Sequence, residues 1–155
     1  MHRALKAGAV LSAIVVGGMQ LVPYGRDHDN PPVTADAPWP DDESRRLAVA
    51  ACYDCHSNET EWPWYSNVAP MSWLTQRDVD RGRDELNFSE WDAEQDLDDL
   101  HDAVEHGDMP PWQYTLNHPE AKLSDAETEH LVEALRALER DDGRRGRNRG
   151  RGGDD

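Results

Sequence analysis

Cys52-Tyr53-Asp54-Cys55-His56 is the stretch on which the reading of this chain turns. It spells C-x-x-C-H, the pattern for covalent attachment of a c-type haem. Two thiols three positions apart can each form a thioether to one of the two haem vinyl groups. The histidine that follows is then placed under the iron as an axial ligand. Cys52 and Cys55 are the only cysteines in 155 residues. A redox dithiol would want a thioredoxin-like βαβ context, and no strand pattern surrounds the motif. A structural zinc site takes four ligands, mostly Cys and His, and no second C-x-x-C exists. A disulfide across two intervening residues would close a tiny, strained loop.

Outward from the motif the chain reads as helices. Asp41 or Asp42 caps a helix through Ser44–Ala51 that leads straight into Cys52. Glu61-Trp62-Pro63-Trp64-Tyr65 is an aromatic loop. Ser72 begins a helix through Trp73, Leu74 and Arg77 to about Leu86, weakened by Gly82. Leu97, Leu100 and Val104 recur at helical spacing, and Gly107 is a stop signal. Met109-Pro110-Pro111-Trp112 cannot continue a helix. The last helix is the clearest. Ser124 and Glu127 form a capping box, and Leu131, Leu135 and Leu138 form one apolar stripe. The expected fold is all-α, a small cytochrome c-like helical domain wrapped around one covalent haem over residues 41–139.

Charge is unevenly spread over the chain. The total is −16, and residues 24–139 carry 28 acids against 8 Lys or Arg, a net of −20. Such a domain repels nucleic-acid phosphates and anionic membrane surfaces. Only two of the sixteen basic residues are Lys. High acidity with so little Lys suggests a halophilic protein, in which counter-ions screen self-repulsion; the plainer explanation is docking on a basic partner. The tail 140–155 holds Arg, Gly, Asp and Asn with no apolar residue and is expected to be disordered.

Residues 1–24 read as a membrane element. Ala7–Val22 carries no charge and follows Arg3 and Lys6. Sixteen helical residues span about 24 Å, close to a hydrocarbon core once Ala4, Leu5 and Tyr24 are included with Lys6 snorkelling. A cleaved signal peptide is the alternative, but no A-x-A site follows. The flanking charges put the N-terminus inside and the rest outside. The expectation is a single-pass cell-membrane anchor with the haem domain extracytoplasmic, where covalent c-type haem is assembled. Residues 25–40, rich in Pro and Asp, read as an extended linker.

A haem iron bound by His56 has a second axial site. Met109 is the first candidate, because it follows a Gly-terminated helix and precedes two stiffening prolines. A thioether is a soft, neutral ligand that favours reduced iron. Met71 and His106 compete, while His101 and His130 suit solvated helix faces and His118 a turn before Pro119. Five of the six tryptophans lie between His56 and Trp112. Core packing explains them, and Trp112, next to the Met109 loop, is the candidate haem neighbour. Arg81 and Arg83 suit surface ion pairs or haem propionates.

The stretches QLVPYGRDHDNPPV (20–33), CYDCHSNETEWPWYSNVAPMSWL (52–74), GRDELNFSEW (82–91), GDMPPWQY (107–114) and HPEAKLSDAE (118–127) together resemble the haem-binding domain family of small, membrane-anchored c-type cytochrome-like proteins. The resemblance covers nearly everything from 20 to 138. It implies that Cys52 and Cys55 attach haem and that His56 and Met109 ligate the iron. Asp78 stands where many relatives have a histidine, so any role of that histidine is absent or replaced.

Three functions suit these residues. A closed His/Met haem makes an electron carrier, exchanging electrons with redox partner proteins. A displaceable Met109 would make a haem sensor or peroxidase-like enzyme. A haem-carrying subunit of a larger membrane complex is the third. The acidity carries its own prediction. The Debye length falls from ~10 Å at about 0.1 M salt to ~3 Å at about 1 M, so the thermal midpoint should rise across that range. A flat response in melts monitored by circular dichroism would remove the halophilic reading.

Overall fold

A computed structural model describes residues 2–92 and 100–149. Among the described residues the chain forms seven α-helices and no β-strand: α1 (His2–Met19), α2 (Asp42–Ala51), α3 (Tyr53–His56), α4 (Met71–Glu85), α5 (Leu100–Glu105), α6 (Trp112–Thr115) and α7 (Asp125–Arg149). Short 3-10 turns at Trp64–Asn67 and Pro119–Ala121 fill two of the connections. The all-α expectation is met. Leu97, expected on the helix of Leu100 and Val104, lies outside the described residues.

Two capping arrangements begin the two helices that frame the core. The Asp41 carboxylate accepts from the Ser44 backbone N–H at 2.8 Å and from its hydroxyl at 2.8 Å, which pulls the Asp41 carboxyl below its ordinary value. Ser124 and Glu127 close the capping box, with the Ser124 N–H donating to the Glu127 carboxylate at 2.9 Å and the Glu127 N–H to the Ser124 hydroxyl at 3.4 Å. Both satisfy amides that a helix start leaves orphaned. Each helix then turns an apolar face inward: Leu47 and Ala48 from α2, and Leu131, Val132, Leu135 and Leu138 from α7.

Phe88 is fully buried at the centre of this core. Tyr53 stacks on it at 5.4 Å, Trp91 stacks at 6.1 Å, and Trp39 tilts against it at 5.1 Å between ring centroids. Trp39 also donates its indole N–H to the Tyr53 hydroxyl at 2.9 Å, and that hydroxyl donates to Asp36 at 2.9 Å. Trp39 and Tyr53 thus have their polar ends satisfied at the edge of the cluster, whereas the buried Trp91 indole N–H has no hydrogen-bond partner among the described residues.

Three expectations change. Residues 25–40 are extended but form a strap instead of a free linker. The Thr34 and Ala35 amides donate to the Ser89 carbonyl at 3.0 and 3.1 Å, Ala37 to Phe88 at 2.9 Å, and Trp91 returns a bond to Ala35 at 2.9 Å. His28 stacks on Trp62 at 4.7 Å. Gly25, at φ +76, packs where a Cβ would overlap the Ser72 carbonyl. Pro and Asp suppress regular structure, yet they leave backbone groups free to pair with the domain.

The second change concerns α1. It is helical, but no described helix is long and apolar enough to cross a membrane. Its first turns carry His2, Arg3 and Lys6, and it stops at Met19. The next residue, Gln20, donates its amide to the Ala69 carbonyl at 2.9 Å and accepts the Ala69 N–H at 3.0 Å. The third is the tail. The chain beyond Arg140 continues α7 to Arg149, in keeping with the helix propensity of arginine; the rest of the tail expected to be disordered, residues 150–155, lies outside the described residues.

Because Phe88 ties three rings together with no exposure, Phe88→Ala should cost about 3–5 kcal/mol. Urea melts check this; a loss under about 1 kcal/mol would mean that the cluster is not the centre of the core.

Candidate haem-binding site

The C-x-x-C-H motif occupies a single helical turn. α2 ends with the Cys52 N–H bonded to the Ala48 carbonyl at 2.8 Å, and the chain bends at Cys52. The Cys55 and His56 amides then both return to the Cys52 carbonyl, at 3.1 and 2.9 Å. This turn places the two thiols and the imidazole in one short element.

His56 is held from the segment that follows α4. Its Nδ1 lies 3.2 Å from the Leu86 carbonyl. A carbonyl only accepts, so Nδ1 carries the proton and Nε2 keeps a free lone pair. The Phe88 N–H donates back to the His56 carbonyl at 2.8 Å, and the Phe88 ring meets the imidazole edge-on at 6.5 Å. Burial pushes the His56 pKa below its ordinary value, against the opposing effect of the Leu86 and Gly82 carbonyls. The result is a neutral imidazole of fixed tautomer, the form that binds iron.

Burial has the opposite consequence for the thiols. Cys52 is pushed up to about 12 by burial first and Cys55 second. Cys55 is pushed up to about 12 by burial, then by Asp54 and Asp78, with Arg83 opposing. A catalytic dithiol needs a depressed thiol pKa, and burial shifts both thiols in the opposite direction. The described residues contain no group of three or more His, Cys, Asp or Glu that could hold a metal ion. Both cysteines are free.

The Met109 loop reaches the motif through Tyr114. Gly107, at φ +78, ends α5, and the Asp108 and Met109 amides both cap the Ala103 carbonyl, at 2.9 and 3.0 Å. Met109 is half-buried and packs against the same core cluster as Cys52. Beyond the prolines, the Tyr114 hydroxyl donates to the Asp54 carboxylate at 2.7 Å, so the loop is tied to a residue inside C-x-x-C-H. Tyr114 stacks on His118 at 4.1 Å. His118 Nδ1 faces Glu120 at 3.2 Å, and its Nε2 then accepts from the Tyr65 hydroxyl at 3.1 Å.

These residues fit a haem: two protonated thiols, an imidazole with a free Nε2, and a thioether on the same core. A model of the haem-binding domain matches residues 14–137. The chain belongs to the haem-binding domain family. It has no match among curated proteins or solved structures.

Most competing ligands in this haem-binding domain have other employment. His106 is exposed at the end of α5, with Nδ1 on its own helix at the Asp102 carbonyl, 2.7 Å away. His101 faces Asp102 and Glu139. His130 faces Asp41 and Ser44. Met71 is exposed at the start of α4. Trp112 is 73 % exposed and stands outside the core. Arg81 pairs with Glu85 at 3.4 Å, whereas Arg83 makes no ion pair among the described residues and bonds instead to backbone and neutral side-chain oxygens.

Gly82 is the site residue that sequence reasoning undervalued. Read as a weak point in a helix, it is the closest approach of α4 to the motif: a Cβ there would overlap the Cys55 carbonyl. A glycine that costs a helix about 1 kcal/mol signals such an approach. Leu86, Phe88 and Tyr114 carry no comparable mark, since their contacts with the motif are set by tertiary packing. Propensity alone predicts that Gly82→Ala stabilises. The packing predicts a loss of about 1–3 kcal/mol as α4 is pushed off Cys55. Chemical denaturation of the variant gives the sign, and a gain would mean that the contact is loose.

Proposed function

We propose that the chain is a monohaem c-type cytochrome that carries electrons on the extracytoplasmic face of a cell membrane. The observation that carries this reading is the buried, neutral His56 with Nδ1–H on the Leu86 carbonyl and Nε2 free. Cys52 and Cys55 would hold the haem through two thioethers, and His56 and Met109 would ligate its iron. When bound, the iron supplies the one-electron chemistry. The protein's part is to hold the imidazole in one tautomer, to present the thioether from a loop tied down by Tyr114, and to keep both positions filled. With no open coordination position the protein exchanges electrons and does not turn over substrate.

Trp112 and Trp64 are the most exposed large aromatic side chains of the domain. In this reading Trp112 would be a neighbour of the haem. The membrane is met through α1, whose residues Val10, Leu11, Ile14, Val15 and Val16 are all exposed; lipid is the medium that would cover them. Redox partner proteins with basic docking faces suit the acidic domain.

Protein matured with a cytochrome c assembly system should keep haem on a denaturing gel, and Cys52→Ala or Cys55→Ala should weaken or abolish that stain. Oxidised wild type should show the weak far-red sulfur-to-iron band. Met109→Ala should remove it and let carbon monoxide bind the reduced iron, while His106→Ala and Met71→Ala should do neither. A wild-type band without haem stain sinks the covalent reading. Carbon monoxide binding to unaltered protein would point to a sensor or peroxidase-like enzyme.

A further inference from the structure

Arg83 is the half-buried cation beside the motif that the proposed function leaves unused. Four hydrogen bonds fix its guanidinium. Nε donates to the Ser57 carbonyl at 2.8 Å, the residue directly after His56. Nη1 donates to the Asp29 carbonyl at 3.0 Å. Nη2 donates to the Asn30 side-chain oxygen at 3.0 Å and to the Thr60 hydroxyl at 3.0 Å. Thr60 in turn donates to the Asp54 carbonyl at 2.8 Å. The guanidinium therefore knots the strap, the loop after the motif and α4 into one point, one residue along from the glycine that touches Cys55.

None of its four acceptors carries a charge. No carboxylate lies within ion-pair distance of Arg83 among the described residues, and Asp29, Asp80 and Glu90 act on it only at longer range. In a domain with a net −20 over residues 24–139 this is an unusual placement. An arginine on this surface has many acids to choose from, as Arg45 and Arg46 do. Here the positive charge is held in place by neutral acceptors, with carboxylates acting only at longer range.

We infer that Arg83 is a positioning residue whose fixed charge raises the reduction potential of the haem held by Cys52, Cys55 and His56. Oxidised iron carries one more positive charge than reduced iron. A cation beside it at low local dielectric therefore disfavours oxidation. The Ser57 carbonyl that accepts from the Arg83 Nε belongs to the residue directly after His56, which places the fixed charge next to the motif. The inference rests on the haem reading above.

The experiment is spectroelectrochemical titration of the haem-loaded full chain. Arg83→Gln should lower the potential. Arg83→Lys, which keeps the charge but cannot make all four bonds, should stay near wild type while melting earlier. Asn30→Asp sets a carboxylate against the guanidinium without removing it and should lower the potential as Arg83→Gln does; it decides the matter if Arg83→Gln fails to fold. Unchanged potentials in Arg83→Gln and Asn30→Asp with haem retained would overturn this inference alone. So would an equal fall in Arg83→Lys, which would make the effect one of packing. Wild type that carries no haem would overturn both readings.

Discussion

Two hydrogen bonds between His56 and the segment after α4 organise the molecule. One runs from the imidazole Nδ1 to the Leu86 carbonyl, the other from the Phe88 amide to the His56 carbonyl. The pair fixes both the backbone and the ring of the histidine against a segment 30 residues away in sequence. It also sets Phe88 edge-on to the imidazole, and Phe88 gathers Tyr53, Trp39 and Trp91. The core and the ligand are built on the same few atoms. Packing that stabilises the domain is the packing that aims Nε2.

Burial then sorts the titratable groups by chemistry. It holds the imidazole neutral and both thiols protonated, because in each case the charged form is the one that loses solvation. The same physical cause works against a reactive dithiol and leaves a competent nitrogen ligand. Outside this small dry region the domain is densely acidic, and its ion pairs, such as Arg46 with Glu43 and Arg136 with Glu105, are exposed. Such pairs contribute little to stability at a surface. The capping carboxylates are different, since Asp41 and Glu127 satisfy backbone amides that nothing else reaches.

The sequence made local features legible and left most distant pairings hidden. C-x-x-C-H, the Asp41 cap, the Ser124–Glu127 box and the stripe of Leu131, Leu135 and Leu138 all depend on spacings under eight residues, and each is where the spacing placed it. Met109 was singled out by a Gly stop and two prolines, and Tyr114, five residues further on, meets the motif. That meeting goes through Tyr114 and Asp54, sixty positions apart, which no periodicity reports. Arg83 looked like a surface cation because its four acceptors are backbone and neutral side chains scattered over Asp29 to Thr60. The strap looked like a linker because its bonds are backbone bonds, to which composition is blind. Low apolarity beyond Arg140 suggested disorder, but Arg-rich helix propensity carries α7 further.

The strap has a mechanical consequence. A free segment of the length of residues 25–40 would have a root-mean-square reach of about 22 Å, enough for a domain to wander far from its point of attachment. Here the chain is fastened at Gln20 to Ala69, at Gly25 to α4, at Asn30 to Thr60 and at Ala37 to Phe88. No slack remains between the end of α1 and the core. Whatever holds α1 therefore holds the domain at a fixed stand-off and in one orientation.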